Sequence, residues 1–481
     1  MNILEIINNR RKYSEILDYI RKSEQENIYI GNSSVNISKM LAAQTFLNTN
    51  KFLIYTCTDT FEASKAYEVF VDLIGTDNVS FFPVEEFIST DLVASSSEFK
   101  LARMMTLSNV IKKNPQLIVT NTDGLLKNVM SSKMLKDSIL SYKVDDIVEI
   151  DDVVENLVIR GYKKTAITSE IGTFSVRGSI IDIYPINEDE PIRLNFFDNE
   201  IETIKKINIE TQISKENLKK IDIYPLYEIY YKKEEINKIR NRILKKYPNS
   251  DKAKKIVEGL SEYTNLEQLY IYLPEIDEDF QNIVSFIDKP ICFYENYNEL
   301  LEYETKRYNE IGAYFLELKY DMNKNFFKSL YEIKDFSGKN IYTSQFLSSI
   351  NNIFIHKLFD LKTTNVLEYN NNLKVMLDDI ELNKDKTYIL THVDKTKLSH
   401  IEDILETREL HYYIIDDVKK IKNNRINLIV ILVLGMLIGC SGFDIIVNYV
   451  YVLIGGLGMV VVIRILYKEK ETKIIVSNFK K

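Results

Sequence analysis

At 481 residues the chain is too long for one ordinary domain and should divide into about three or four. Apolar residues make up 45% and charged residues 27%, as in folded soluble proteins. The formal net charge of −8 excludes a general DNA-coating role, which needs a basic surface to displace counterions. Cys57, Cys292 and Cys440 are widely separated and the four histidines are scattered. No metal site is expected, and the cysteines read as buried, reduced thiols.

The opening places Ile3, Leu4 and Ile7, then Ile16, Leu17 and Ile20, at helical spacing, and it lacks the apolar core and cleavage site of a signal peptide. From Ile28 to about Met130, strand candidates Asn27–Ile30, Phe52–Thr56, Val79–Phe82 and Gln116–Thr120 alternate with helical stretches Asn36–Leu47, Phe61–Leu73 and Glu98–Lys112. That alternation predicts an open α/β layer on a parallel sheet. In such a layer the loop after the first strand normally holds phosphate. Here it reads GNSSVNISK, Gly31–Lys39. A working loop needs GxxxxGK[ST], but Asn36 stands at the second glycine, Ile37 at the lysine, and Lys39 comes two positions late. The loop therefore reads as a nucleotide fold without its nucleotide, and no cofactor is expected. The strand LIVTNTDGLL carries Asp123 but no DExx box, so Asp123 reads as a turn residue before a helix.

Residues 131–232 read as a small β-rich module. Two strand-like runs flank the turn-rich Pro185–Pro191, the pattern of a hairpin with a longer loop. In the second run Ile192, Leu194 and Phe196 share one face, and Arg193, Asn195 and Phe197 the other. An arginine and a large aromatic side by side on a wet face are what a protein-binding hot spot contains. The competing reading is that another part of the chain covers Phe197.

The runs FSVRGSIIDIYP (Phe174–Pro185), PIRLNFFDNEIE (Pro191–Glu202) and ETQIS (Glu210–Ser214) closely resemble the UvrB-like part of the bacterial transcription-repair coupling factors, and more distantly UvrB itself. VSFFPVEEFISTDLVASSSEFKLARMMTL (Val79–Leu107), YIYLPEIDE (Tyr270–Glu278) and VLEYNNNLKVMLDDIEL (Val366–Leu382) are similar to the same family. The resemblance covers about residues 1–428 and implies that the β-rich module docks on UvrA, the damage-recognition ATPase, with contact residues at Arg177, Arg193 and Phe197. It also implies that the first phosphate loop is degenerate and that DNA is met only indirectly. RNA polymerase is not an expected partner, since the family's polymerase-binding and motor domains are not recognised here. Catalysis is not expected either. The implied function is UvrA binding by mimicry of UvrB. The alternatives are the non-catalytic part of a split ATP-dependent translocase, or a membrane protein with a co-opted soluble head.

After NRINLIV the resemblance stops. The apolar runs Ile426–Cys440 and Tyr449–Leu466, with Arg464 near the end of the second, read as a transmembrane hairpin over 426–467. Lys419, Lys420, Lys422 and Arg425 before it, and Lys468, Lys470 and Lys473 after it, would hold both ends at the cytoplasmic face. Truncation or gene fusion is the favoured origin of this tail. The expected fold is α/β. A degenerate P-loop-type parallel sheet (1–130 and 233–345) receives the β-rich UvrA-binding module (131–232) as an insertion. A second small α/β domain (346–425), the hairpin and a basic tail (468–481) follow.

Overall fold

The structure, a computed structural model, describes residues 4, 11–24, 26–85, 96–263, 269–270, 272–317, 329–350, 352–363, 372–382, 389–391, 403–408, 412–414, 428–433 and 473–478. Helix α1 (Arg11–Lys22) buries Tyr13, Ile16, Leu17 and Ile20, one stripe of the 3.6-residue period. Strands β1 (Asn27–Gly31), β2 (Leu53–Cys57), β3 (Val79–Phe82) and β4 (Leu117–Asn121) then alternate with helices α2 (Val35–Thr49), α3 (Thr60–Ile74) and α4 (Ser97–Ile111). Each of these helices starts on a side-chain cap. Ser34 accepts from the Ile37 amide, Asp59 from Glu62 and Ser96 from Glu98, satisfying amides that the helix itself leaves open.

Beyond β4 come β5 (Asn128–Val129), β6 (Leu140–Lys143), helix α5 (Ile150–Ile159), β7 (Lys163–Lys164), β8 (Thr173–Arg177) and β9 (Ile180–Ile183). These are followed by β10 (Ile192–Phe197), β11 (Glu200–Ile207), β12 (Ser214–Leu218) and β13 (Lys220–Ile223). The chain then runs through helix α6 (Ile236–Lys246) and β14 (Gln281–Asn282) to β15 (Ile291–Glu295), helix α7 (Tyr297–Glu317), β16 (Lys339–Thr343) and β17 (Lys357–Asp360).

The large sheet has the order β17-β1-β16-β15-β2-β4-β3, with every pair parallel. The strand β15 enters between β16 and β2, so the β-rich module is spliced into the middle of one continuous layer. Apolar clusters cover both sheet faces, and β2 and β4 are buried at every position, as parallel strands between helices must be. The layer continues past residue 345. Lys357–Asp360 pairs with Ile28–Gly31, so the boundary expected at 345 falls inside it.

The module is a six-stranded sheet, β12-β11-β10-β9-β8-β7, antiparallel except between β7 and β8. Its inner face packs Ile181, Ile183, Ile192, Leu194, Phe196 and Ile204 against Val153 and Leu157 of α5.

The tail differs from the expected hairpin where it is described. Leu428–Val433 (β20) is a strand between β18 (Ile389–Thr391) and β21 (Lys473–Asn478). With β19 (Tyr412–Ile414) these make a four-stranded parallel sheet. The run LIVILV is rich in β-branched residues, which favour extended backbone, and periodicity alone does not separate such a run from a buried helix. Among the described residues no helix is long and apolar enough to cross a membrane. Residues 434–467, with Cys440 and Arg464, lie outside the described residues, as do Lys419, Lys420, Lys422, Arg425, Lys468, Lys470 and His392.

One buried network fastens the module to the layer. Arg103 of α4 donates from Nε and Nη2 to the Glu228 carboxylate (2.7 and 2.9 Å) and from Nη1 to the Pro83 carbonyl (2.8 Å). Lys127 lies 3.7 Å from the same carboxylate and 3.5 Å from the centre of the Tyr270 ring. Burial alone would raise the Glu228 carboxyl, but the Arg103 and Lys127 charges outweigh it and hold it down to about 2. Burial pushes the Lys127 amine down to about 8. Glu228→Gln leaves two buried cations without their anion and is expected to destabilise the protein by about 3 kcal/mol in urea titrations. The folded-state value of Glu228 lies below its ordinary 4.5, so its contribution is complete above that pH and is lost as pH falls toward 2. The stability gap between wild type and Glu228→Gln should therefore narrow across that window.

Candidate protein-docking face

Strands β9 and β10 are antiparallel neighbours joined through Pro185–Pro191, and β10 alternates as its sequence predicts. Ile192, Leu194 and Phe196 are buried, while Arg193, Asn195 and Phe197 face outward. Residues paired across a ladder share a face, so the register Ser175–Asp182–Arg193–Lys205 is one outward row across β8 to β11. Two residues along β8 from Ser175, Arg177 is on the same face.

At the centre of this row is Asp182, with 0% of its side chain exposed. Arg193 grips its carboxylate bidentately, Nε to Oδ1 at 2.7 Å and Nη2 to Oδ2 at 2.9 Å, and Arg177 Nη2 also donates to Oδ2. Thr168 covers the row, its Oγ1 lying 3.1 Å from both Ser175 Oγ and the Asp182 carbonyl oxygen, to which its one proton can be donated. A buried carboxylate is tolerable only when its charge and lone pairs are met, and here two guanidinium groups from flanking strands meet them. These hydrogen bonds raise the Arg193 guanidinium above its already high ordinary value. Arg193 is consequently locked, 15% exposed, whereas Arg177 is 46% exposed. Among the described residues the Arg193 Nη1 makes no further hydrogen bond.

Phe197 ends β10 beyond a register shift at Asn195/Phe196 and is 74% exposed. The described chain therefore does not cover it. All three residues singled out in the sequence lie on one face. Asp182, which holds two of them, was not singled out. Its signal is a carboxylate amid isoleucines in the middle of a strand, a position where aspartate is disfavoured unless it is paired.

The degenerate phosphate loop is filled by the chain itself. The Ser33 amide donates to the Ser344 carbonyl (2.9 Å) and the Ser34 amide to Thr363 Oγ1 (2.7 Å). Asn32 donates to Asp360 Oδ1 (2.9 Å), and a Cβ at Gly31 would collide with Leu347. Two backbone donors of this loop, the Ser33 and Ser34 amides, are thus already bonded. Asp123 is buried and structural, accepting from Tyr303 (2.8 Å) and from Arg307 Nε (3.2 Å) of α7.

Residues 140–229 match the family described as UvrB interaction domain, a range that contains the whole docking face. The chain is 27% identical over 226 residues to the transcription-repair-coupling factor of Staphylococcus aureus (strain bovine RF122 / ET3-1), and 26% identical to that of strain USA300. Each match takes in 47% of this chain and 19% of the relative. The Staphylococcus epidermidis transcription-repair-coupling factor is 26% identical over 223 residues, 46% of this chain. The matched stretch spans about a fifth of the length of these relatives. The chain thus carries a UvrB interaction domain, and its N-terminal half is homologous to the transcription-repair-coupling factors, consistent with the N-terminal part of such a protein.

Proposed function

We propose that this chain is a UvrA-docking module of nucleotide excision repair, presenting Arg177, Arg193 and Phe197 in the way UvrB does. The observation that carries this reading is the outer face of the six-stranded sheet, where two arginines are fixed on a buried aspartate beside an uncovered phenylalanine. Burying the Phe197 ring in a partner pocket supplies about 2 kcal/mol. The pre-placed guanidinium of Arg193 gives orientation to a partner carboxylate with little further loss of side-chain freedom. The large parallel sheet serves as scaffold, without an ATPase site of its own, and DNA is reached through UvrA.

Binding of purified UvrA from the same organism, followed by calorimetry, tests the reading. The unsubstituted chain should bind with micromolar or tighter affinity. Phe197→Ala should weaken binding roughly 30-fold, the equivalent of about 2 kcal/mol, at an unchanged melting temperature. Wild-type affinity for Phe197→Ala would sink the proposal. Arg193→Ala should behave differently and lower both affinity and stability, the latter by about 3 kcal/mol, because it removes the bidentate partner of a buried carboxylate.

The scaffold role has its own test. Asn36→Gly with Ile37→Lys rebuilds the motif GxxxxGKS, yet the doubly substituted chain should show no saturable Mg-ATP binding by calorimetry. The Ser33 and Ser34 amides remain bonded to Ser344 and Thr363, and Leu347 remains against Gly31. Recovery of ATP binding would show that the motif alone had been lost.

A further inference from the structure

Phe197 has a neighbour that the sequence does not reveal. The chain turns through Asp198 and Asn199, and β11 begins at Glu200, which pairs with Phe197. On its other side Glu200 forms an antiparallel bridge with Ile147. Ladder hydrogen bonds frame that bridge, from the Val148 amide to the Asn199 carbonyl (2.8 Å) and from the Ile201 amide to the Asp146 carbonyl (2.9 Å). Directly opposed residues of antiparallel strands project to the same face, about 5 Å apart per step. Phe197, Glu200 and Ile147 therefore stand in one row, with the two apolar side chains roughly 10 Å apart across the carboxylate.

Ile147 is 75% exposed, as open as Phe197. Single exposed apolar residues are ordinary on protein surfaces, but here two stand in register on one rigid sheet. Glu200 is exposed and makes no ion pair among the described residues. The two ends of the face also differ in charge. Arg193 and Lys205 against Asp182 leave the far end positive, Arg177 stands in the row between, and Asp198 and Glu200 make the near end negative.

We infer that Ile147 and Glu200 complete the docking face, so that it engages a protein surface with one apolar depression spanning Phe197 and Ile147. That partner surface carries a basic group opposite Glu200 and an acidic group opposite the two arginines. The inference rests on the UvrA-docking reading and deepens it. The reversal of charge from the Arg193 row to the Glu200 row fixes the direction in which the partner lies along the strands, because a rotation by half a turn would set like charges together.

The test uses the full chain and UvrA from the same organism, with affinity read by biolayer interferometry and folding by thermal melts. Ile147→Asp is expected to weaken binding roughly tenfold at an unchanged melting temperature, since it places a charge in a desolvated contact. Glu200→Lys is expected to weaken it as well, with a loss that shrinks as salt is raised. Ile147→Ala, which only removes apolar atoms, serves if the aspartate disturbs the fold. Wild-type affinity in the Ile147 and Glu200 variants beside a weakened Phe197→Ala would overturn this inference and leave UvrA docking standing. Absence of binding by the unsubstituted chain would overturn both.

Discussion

The docking face depends on one buried carboxylate. Asp182 has no exposed side-chain surface, and its charge is met by Arg193 from β10 and Arg177 from β8. An arginine on an open strand samples many rotamers, and holding it still for a partner costs side-chain entropy at the moment of binding. Here that cost is met during folding, because the carboxylate cannot stay buried without the guanidinium groups. In the proposed docking the two arginines thus have a structural and a binding role at once. Phe197, which no interaction of this kind holds, separates binding from stability, and this is why substitutions there and at Arg193 read out different things.

Much of the architecture was legible from periodicity. The first four strands and three helices lie within one or two residues of the positions that alternation and capping residues mark. The two faces of β10 follow directly from IRLNFF. What was not legible depends on register and on distant segments. The pairing of Arg193 with Asp182 follows from which strand positions oppose one another, and the exposure of Ile147 from a bridge to Glu200 that no local pattern announces. The tail shows another limit. An apolar β-branched run such as LIVILV suits a membrane helix and a parallel strand equally well by its pattern, and its pairing with 389–391 and 473–478 depends on segments far away in the chain.

The phosphate loop shows the same dependence on distance. Its sequence displays the missing glycine and lysine. The acceptors that occupy its amides, Ser344 and Thr363, come from the far end of the layer, after the inserted module has been built. A loop of this kind has exchanged one set of acceptors for another. A backbone carbonyl and a hydroxyl stand where phosphate oxygens would, so the Ser33 and Ser34 amides just before α2 are satisfied without a ligand. The first layer can therefore stand as a support, and the Arg103–Glu228–Lys127 network ties it to the segment that leaves the module after β13.

Rigidity matters because the charges of the face cancel. Arg177, Arg193 and Lys205 against Asp182 sum to +2, and Asp198 with Glu200 to −2, so long-range attraction contributes little to finding a partner. In such a face specificity lies in the spacing of groups, and spacing is preserved only if the strands carrying them cannot shift. Antiparallel ladders on both sides of β10 supply that constraint for Arg193, and the bridge from Glu200 to Ile147 extends it past the end of the hairpin. In the proposed docking, a partner must match the positive groups of the Asp182 row on one side and the alternation Phe197, Glu200, Ile147 on the other, which a merely acidic or merely apolar surface does not offer.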